Sequence, residues 1–203
     1  MWFFNYSNLI DPLLKDIRIN AVKFSEMKSG DKILDICCGT GDQAFHFAKA
    51  GAVAYGIDSD PGMIKLAEKN KKRLGLNNVS FQIADAQNLP FDDNFFDCAS
   101  ISLALHEKER GTRDRIISEM KRVVKKGGNL IFIDFQVPLP RNLYSCFIKA
   151  VERFAGRDHF EYFKDYLKQG GLMEILDKNK LQIEKRDYTK NGIIEIIKTI
   201  NVD

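Results

Sequence analysis

From residue 31 onward, short apolar runs closed by Gly or Asp alternate with stretches whose apolar positions recur at helical spacing. That alternation predicts βα units assembled on a parallel sheet. The first run covers residues 32–37. A turn containing Gly39 and Gly41 follows, then a helix over 42–49, with Asp42 expected to bind the free N–H groups of its first turn. A second strand over 52–57 ends at Asp58. Pro61 suits the first turn of the next helix, which carries Met63, Ile64, Leu66 and Ala67 on its apolar side and which Gly75 terminates. Third and fourth strands are expected at 79–84 and 96–101. A helix over 112–125 then leads through Gly127 and Gly128 into a fifth strand at 129–135.

Past residue 135 the period changes. Residues 138–178 read as helical, in two segments (142–154, and from His159 onward) separated by Gly156 and interrupted at Gly170 and Gly171, as an insertion over the sheet's edge. Two β-rich runs, 181–187 and 192–200, flank a Lys190-Asn191-Gly192 turn and predict an antiparallel pair that finishes the sheet. Ahead of the first strand, Leu9, Leu13, Leu14, Ile17 and Val22 space out as one amphipathic helix. The expected fold is α/β: a doubly wound, mostly parallel, Rossmann-like sheet of seven strands with a C-terminal antiparallel pair. The chain reads as a single domain over 1–203, with a helical cap (1–28), a cofactor-binding core (31–135), a helical insertion near an acceptor site (136–178) and a closing hairpin (179–203).

Composition narrows the partners. A chain of 203 residues, 44% hydrophobic and 29% charged, has apolar material for one three-layer core. Thirty-one Lys and Arg against 28 Asp and Glu leave a net charge of +3 with no basic block, so no nucleic-acid partner is expected. No apolar run approaches the roughly 18 residues of a membrane span, and no charged segment precedes a signal-like core, which predicts a cytoplasmic protein. Cys37, Cys38, Cys98 and Cys146 show no CxxC spacing and read as reduced thiols. Together with His46, His106 and His159 they form no metal-ligand spacing, so no metal is expected.

The segment Ile33-Leu34-Asp35-Ile36-Cys37-Cys38-Gly39-Thr40-Gly41-Asp42 opens a buried strand onto a Gly-x-Gly turn and a helix, where glycine lets the backbone approach a ligand closely. With Ala44 it also fits the G-x-G-x-x-A form of a dinucleotide site, so an NAD enzyme is a competing reading. Asp58, 19 residues beyond Gly39, ends the second strand, where a carboxylate can accept from both hydroxyls of an adenosyl ribose; NAD and S-adenosylmethionine would both use it. Asp85, followed by Ala86, ends the third, where carboxylate and N–H can read the edge of an adenine, which favours S-adenosylmethionine. An oxidoreductase would further need an active-site Lys, Tyr or His constellation that the chain lacks.

The segments LDICCGTGD, YGIDSDPGMIKLAE, ADAQNLPFDDNFFD and EMKRVVKKGGNLIFID resemble, in order and spacing, the motifs of class I S-adenosylmethionine-dependent methyltransferases. The match covers roughly residues 31–135 and is most similar to the branch holding the ubiquinone and menaquinone C-methyltransferases and some small-molecule and phospholipid methyltransferases. The resemblance implies S-adenosyl-L-methionine as cofactor and S-adenosyl-L-homocysteine as product. It also implies a cofactor shell in which Gly39 and Gly41 pack on the methionyl part and Asp35 fixes the loop from beneath. Asp58 would hold the ribose, Met63 cover the adenine, and Asp85 with Ala86 read its edge. Cys38, Thr40, Ser59 and Ser102 are neighbours in that shell. From its position and apolar stripe, the N-terminal helix, with Tyr6 just before it, is expected to fold over the cofactor.

The acceptor, a small molecule or lipid-like compound methylated on carbon, nitrogen or oxygen, is expected beyond the fourth and fifth strands. Ser102, Leu103, His106 and Glu107 follow the fourth strand there. His106 is the candidate catalytic base. His159 stands beside Phe160, Tyr162, Phe163 and Tyr166, which either line the acceptor pocket or pack the insertion, and His46 has no assigned role. Trp2, Phe3 and Phe4 allow at most peripheral membrane contact. Oligomeric state is left open.

Overall fold

The computed structural model describes residues 3–202, with side chains from Leu14 onward other than Ala155. Helix α1 (Phe3–Ser25) precedes the sheet. Strands β1 (Lys32–Ile36), β2 (Val53–Asp58) and β3 (Val79–Ile83) alternate with helices α2 (Asp42–Lys49) and α3 (Pro61–Leu74). Strand β4 (Phe96–Ser102), a single 3-10 turn at Leu105–Glu107, helix α4 (Arg110–Val123) and strand β5 (Val124–Phe135) follow. Helices α5 (Leu143–Ala155), α6 (Arg157–Gln169) and α7 (Gly171–Lys178) lead to strands β6 (Ile183–Thr189) and β7 (Ile194–Ile200).

The sheet order is β3-β2-β1-β4-β5-β7-β6. β1 to β5 run parallel, and β7 lies antiparallel between β5 and β6. The chain winds outward from β1 to β3 and returns to place β4 on the other side of β1. This reversal opens a crevice at the carboxyl ends of β1 and β4, the place where open α/β sheets bind ligands. The central strands β1, β4 and β5 are covered, with Ile33, Leu34, Ile36, Ala99, Leu130, Ile131 and Phe132 all buried, whereas the edge strand β3 is largely exposed.

Several expectations need revising. Asp42 does not cap α2: the cap position is Gly41, in the left-handed region at φ 83, with no side-chain cap, and Asp42 instead pairs with Arg18 of α1 at 2.5 Å. That ion pair, the bond from Gln43 Nε2 to the Arg18 carbonyl (3.2 Å) and the burial of Ile17, Ala21 and Phe24 seat the second half of α1 on the core. β5 begins at Val124, directly after α4, because a register shift between Phe96 and Cys98 lets the chain pair with β4 before Gly127 and Gly128 are reached. The inserted region holds three helices. Gly170 (φ 108) closes α6 and Gly171 (φ 68) opens α7, and a side chain at 171 would collide with Val137 at 2.6 Å, so the glycine pair turns a sharp corner against β5's continuation. The final hairpin turns through residues 190–193, with Lys190, Asn191 and Gly192 all at positive φ.

Candidate active site

Three strand ends are tied to one another by hydrogen bonds. The Gly39 N–H donates to Asp58 Oδ2 at 2.9 Å, the Cys38 N–H to the Ile57 carbonyl at 2.9 Å, and the Ala84 N–H to the Asp58 carbonyl at 3.0 Å. Asp58 Oδ1 accepts from the Asp60 N–H at 3.0 Å. The glycine turn after β1, Asp58 at the end of β2 and Asp85 just past β3 therefore sit at one edge of the sheet. Asp85 is exposed and takes the Gln87 N–H at 2.9 Å, while Ala86 beside it is buried. Both carboxylates keep lone pairs after these bonds, since each ionised oxygen accepts more than one donor.

The two loop glycines do different work. A Cβ at Gly39 (φ 51) would meet nothing within 4 Å among the described residues, so the space above that residue is open to a ligand. A Cβ at Gly41 would strike the Phe81 ring at 2.5 Å, and one at Gly56 the same ring at 2.6 Å, so these two glycines make room for Phe81 rather than for a ligand. Cys37 sits in the left-handed region as well (φ 56) without glycine's freedom.

Asp35 lies under this loop, opposite Ser100 across the β1–β4 pair. It is buried, Oδ1 accepts from Ser100 Oγ at 3.0 Å, and Oδ2 has no hydrogen-bond partner among the described residues. Burial pushes its pKa up to about 7, against the lowering effect of Ser100 and of Arg18. An incompletely paired carboxylate beneath an open glycine loop suits a cationic ligand. Of the remaining expected shell, Cys38 is buried, Thr40, Met63 and Ser102 are half-buried and Ser59 is exposed. The Thr40 carbonyl accepts from Asn70 Nδ2 at 3.4 Å. The side chain of Tyr6 lies outside the described residues. Burial pushes the Cys37 thiol up to about 12 and holds that of Cys38 well above its ordinary value, so neither is a thiolate nucleophile near neutral pH.

Across the crevice, the 3-10 turn after β4 carries His106. It is buried (3% exposed), not in an open loop as its position after a strand suggests. Its Nδ1 lies 2.6 Å from Asp134 Oδ1 on β5, and its backbone N–H donates to Asp134 Oδ2 at 3.1 Å. Phe135, Phe163, Tyr166 and His159 surround the ring. Burial alone would lower the imidazole pKa; Asp134, then Glu107 and Glu152, override it and carry it up to about 9. The carboxylates around it thus favour the charged ring, where the sequence offered His106 as a candidate base.

The inserted helices close over this histidine. Glu152 of α5 and His159 of α6 face each other across Gly156, with Glu152 Oε2 2.5 Å from His159 Nε2 and 3.7 Å from His106 Nε2. Buried Arg113 of α4 binds the assembly: Nε donates to the Leu105 carbonyl (2.9 Å), Nη2 to the Tyr162 carbonyl (3.0 Å) and Nη1 to Asp165 Oδ2 (3.2 Å). The Tyr166 hydroxyl donates to the Phe135 carbonyl at 2.8 Å. The aromatic stripe of α6 thus divides: Phe163 and Tyr166 pack against His106, and Phe160 is half-buried.

A family profile described as a methyltransferase domain matches residues 33–128. The ubiquinone/menaquinone biosynthesis C-methyltransferase UbiE of Geobacter sp. is 32% identical over 186 residues, 87% of this chain and 74% of that protein. This chain belongs to the S-adenosylmethionine-dependent methyltransferase family, on its ubiquinone/menaquinone branch. The 2-phytyl-1,4-naphtoquinone methyltransferase of Nostoc punctiforme is 38% identical over 124 residues, 58% of this chain and 52% of that relative. The chain spans between about half and three quarters of the length of the curated relatives it matches. The crystal structure of a SAM dependent methyltransferase from Aquifex aeolicus has the same fold: TM-score 0.68 at 20% identity, covering 91% of this chain and 89% of that one.

Within this crevice, sequence reasoning missed Asp134, Glu152, Arg113 and Ser100 as members of the candidate site. Asp134 had a readable signal, a lone carboxylate in the apolar strand Leu-Ile-Phe-Ile-Asp-Phe. The other three had none. Glu152 and Arg113 sit among charged residues on amphipathic helices, and Ser100 is a small residue in a buried strand.

Proposed function

We propose that this chain transfers the methyl group of S-adenosylmethionine to a small, apolar or lipid-like acceptor docked against the 3-10 turn and helices α5 and α6. The observation that carries the reading is the open space above Gly39 beside the Gly39–Asp58 bond. A Cβ-free backbone and a carboxylate with spare lone pairs stand there at the sheet's switch point. The residues present fit the cofactor: Asp58 for the ribose hydroxyls, Asp85 and Ala86 for the adenine edge, Met63 for its face, and Asp35 beneath the loop for the positive charge. When bound, the cofactor would supply an activated sulfonium methyl, whose carbon could bond in line to the acceptor's electron pair as the C–S bond breaks and its electrons stay on sulfur. The chain's part is to hold the two reactants in line and to keep water out.

Several features support an apolar acceptor. Phe135 and Phe163 pack about His106, and α5 leaves Leu143, Tyr144, Phe147 and Phe154 exposed. The quinone methyltransferases among the relatives point the same way. His106 is the side chain we assign to contact the acceptor. Four free cysteines suit a reducing, cytoplasmic setting, and among the described residues no helix is long and apolar enough to cross a membrane.

Isothermal titration with S-adenosylhomocysteine and with NADH, followed by product release against a panel of quinols, phenols, amines and lipids, tests the reading. Binding of the first without the second, with turnover on a hydroxylated aromatic or quinol, is expected. NADH binding with no response to S-adenosylhomocysteine overturns it.

A further inference from the structure

We propose that His106, Glu152 and His159 form a binding site for a divalent cation of the zinc class. The three come from the 3-10 turn, α5 and α6, separations at which residue spacing gives no warning; the expectation that the histidines belong to no metal set came from spacing alone. Folding brings one ligand atom from each within 4.8 Å of the other two.

The geometry is that of a three-ligand site. Zinc bonds of roughly 2.0–2.2 Å in tetrahedral arrangement set ligand atoms about 3.4 Å apart. His106 Nε2 and Glu152 Oε2 stand at 3.7 Å. The hydrogen bond of 2.5 Å between Glu152 and His159 needs to open by less than about 1 Å to match. Two imidazoles and one carboxylate are the ligand types of open zinc sites, which leave a fourth position for water or substrate. Glu107 Oε1, 3.9 Å from His106 Nε2, lies close enough to bind that water or to fill the position itself.

Asp134 supplies the outer half of the design. Its bond to Nδ1 fixes the ring so that Nε2 faces Glu152, the carboxylate–histidine–metal relay that orients a ligating imidazole. Charge agrees. Asp134 and Glu152 are buried and Glu107 is close by, so three carboxylates crowd two imidazoles. A dication that displaces the proton from His106 offsets most of that excess within a wall of Phe135, Phe163 and Tyr166, where unpaired charge is expensive. Such an ion would take a hydroxyl or keto oxygen in its open position.

The test uses the intact chain, freed of metal by a chelator and titrated with Zn²⁺ by calorimetry and with Co²⁺ by visible absorption. One ion per chain and the intense d–d bands of a four-coordinate cobalt are expected. His159→Ala and Glu152→Gln should each weaken Zn²⁺ binding at least tenfold, and Asp134→Asn roughly 10–100-fold, while His46→Ala leaves it unchanged. His159 is partly exposed, so its variant tests the site even where a change at His106 unfolds the chain; circular dichroism checks the fold. Failure to bind either ion stoichiometrically, or binding indifferent to both His159→Ala and Glu152→Gln, overturns the proposal. Neither result depends on methyl transfer, which S-adenosylhomocysteine binding and turnover test separately.

Discussion

The Gly39 N–H and the Asp58 carboxylate meet at 2.9 Å, and this bond joins the turn that leaves β1 to the end of β2. Asp58 thereby fixes the loop, and in the proposed function its remaining lone pairs take the ribose hydroxyls. Asp58→Ala removes both functions. Losing hydrogen bonds to a charged group costs about 1.5–3 kcal/mol, so S-adenosylhomocysteine binding should weaken by roughly 10–100-fold in calorimetry, with Asp58→Asn between the variant and the parent. Equal affinity in Asp58→Ala and the parent would remove Asp58 from the site.

This half of the site was legible because its signals are local. A strand, a glycine turn and an acid 19 residues on are set by period and turn chemistry, and the fold repeated them nearly to the residue. The exception has a tertiary cause: Asp42, expected to cap α2, pairs instead with Arg18 of α1. The acceptor half was not legible. His106 meets Asp134 across 28 positions of chain, and Arg113 reaches Tyr162 across 49. Such contacts depend on how α5 and α6 fold back over β4 and β5, which no pattern within either helix records. Glu152 looks from sequence like any solvated charge on a helix, and only the packing buries it.

Gly39 and Gly41 should separate binding from stability. Gly39→Ala places its Cβ in open space, so the folded state loses only the about 1–2 kcal/mol of a left-handed non-glycine residue, yet the methyl group occupies the ligand's side of the loop. Cofactor binding should disappear with a small fall in denaturant midpoint. Gly41→Ala adds the same strain to a 2.5 Å collision with Phe81 and should cost about 2–5 kcal/mol. Denaturant unfolding and calorimetry on both variants give the comparison. Gly39→Ala binding with parental affinity would mean that the ligand does not cross this turn.

Asp35 imposes a pH dependence on both folding and binding. Its folded pKa of about 7 lies above the ordinary value of 3.8, so between those values the native state holds more protons than the unfolded chain. Stability contributed by this group is therefore lost as pH rises from about 4 to 7 and is level above that. Asp35→Asn should flatten this part of the profile. A cationic cofactor favours the ionised carboxylate, so its binding should tighten as pH rises toward 7, by up to tenfold per unit, in the parent but not in Asp35→Asn. Calorimetry at pH 6 and 8 reads the difference, and identical profiles for the two proteins would count against any electrostatic link between Asp35 and the ligand.

Arg113 decides whether the two histidines meet. Its guanidinium reaches the Leu105 carbonyl beside His106, and the Tyr162 carbonyl and Asp165 on the helix of His159, all from a buried position. Arg113→Leu leaves the buried Leu105 carbonyl and the partly buried Tyr162 carbonyl without this donor and frees the 3-10 turn from α6. Unsatisfied buried groups cost about 1–3 kcal/mol each, so a loss of about 2–4 kcal/mol is expected, tempered because Asp165 keeps its pair with Arg110. Lysine carries the charge but cannot donate in three fixed directions, so Arg113→Lys should recover some stability and little of the alignment. Thermal melts give the first quantity and cation or acceptor binding at His106 and His159 the second. A lysine variant that restores stability and leaves binding impaired marks Arg113 as a positioning residue, whereas joint recovery of both would reduce it to a packing role.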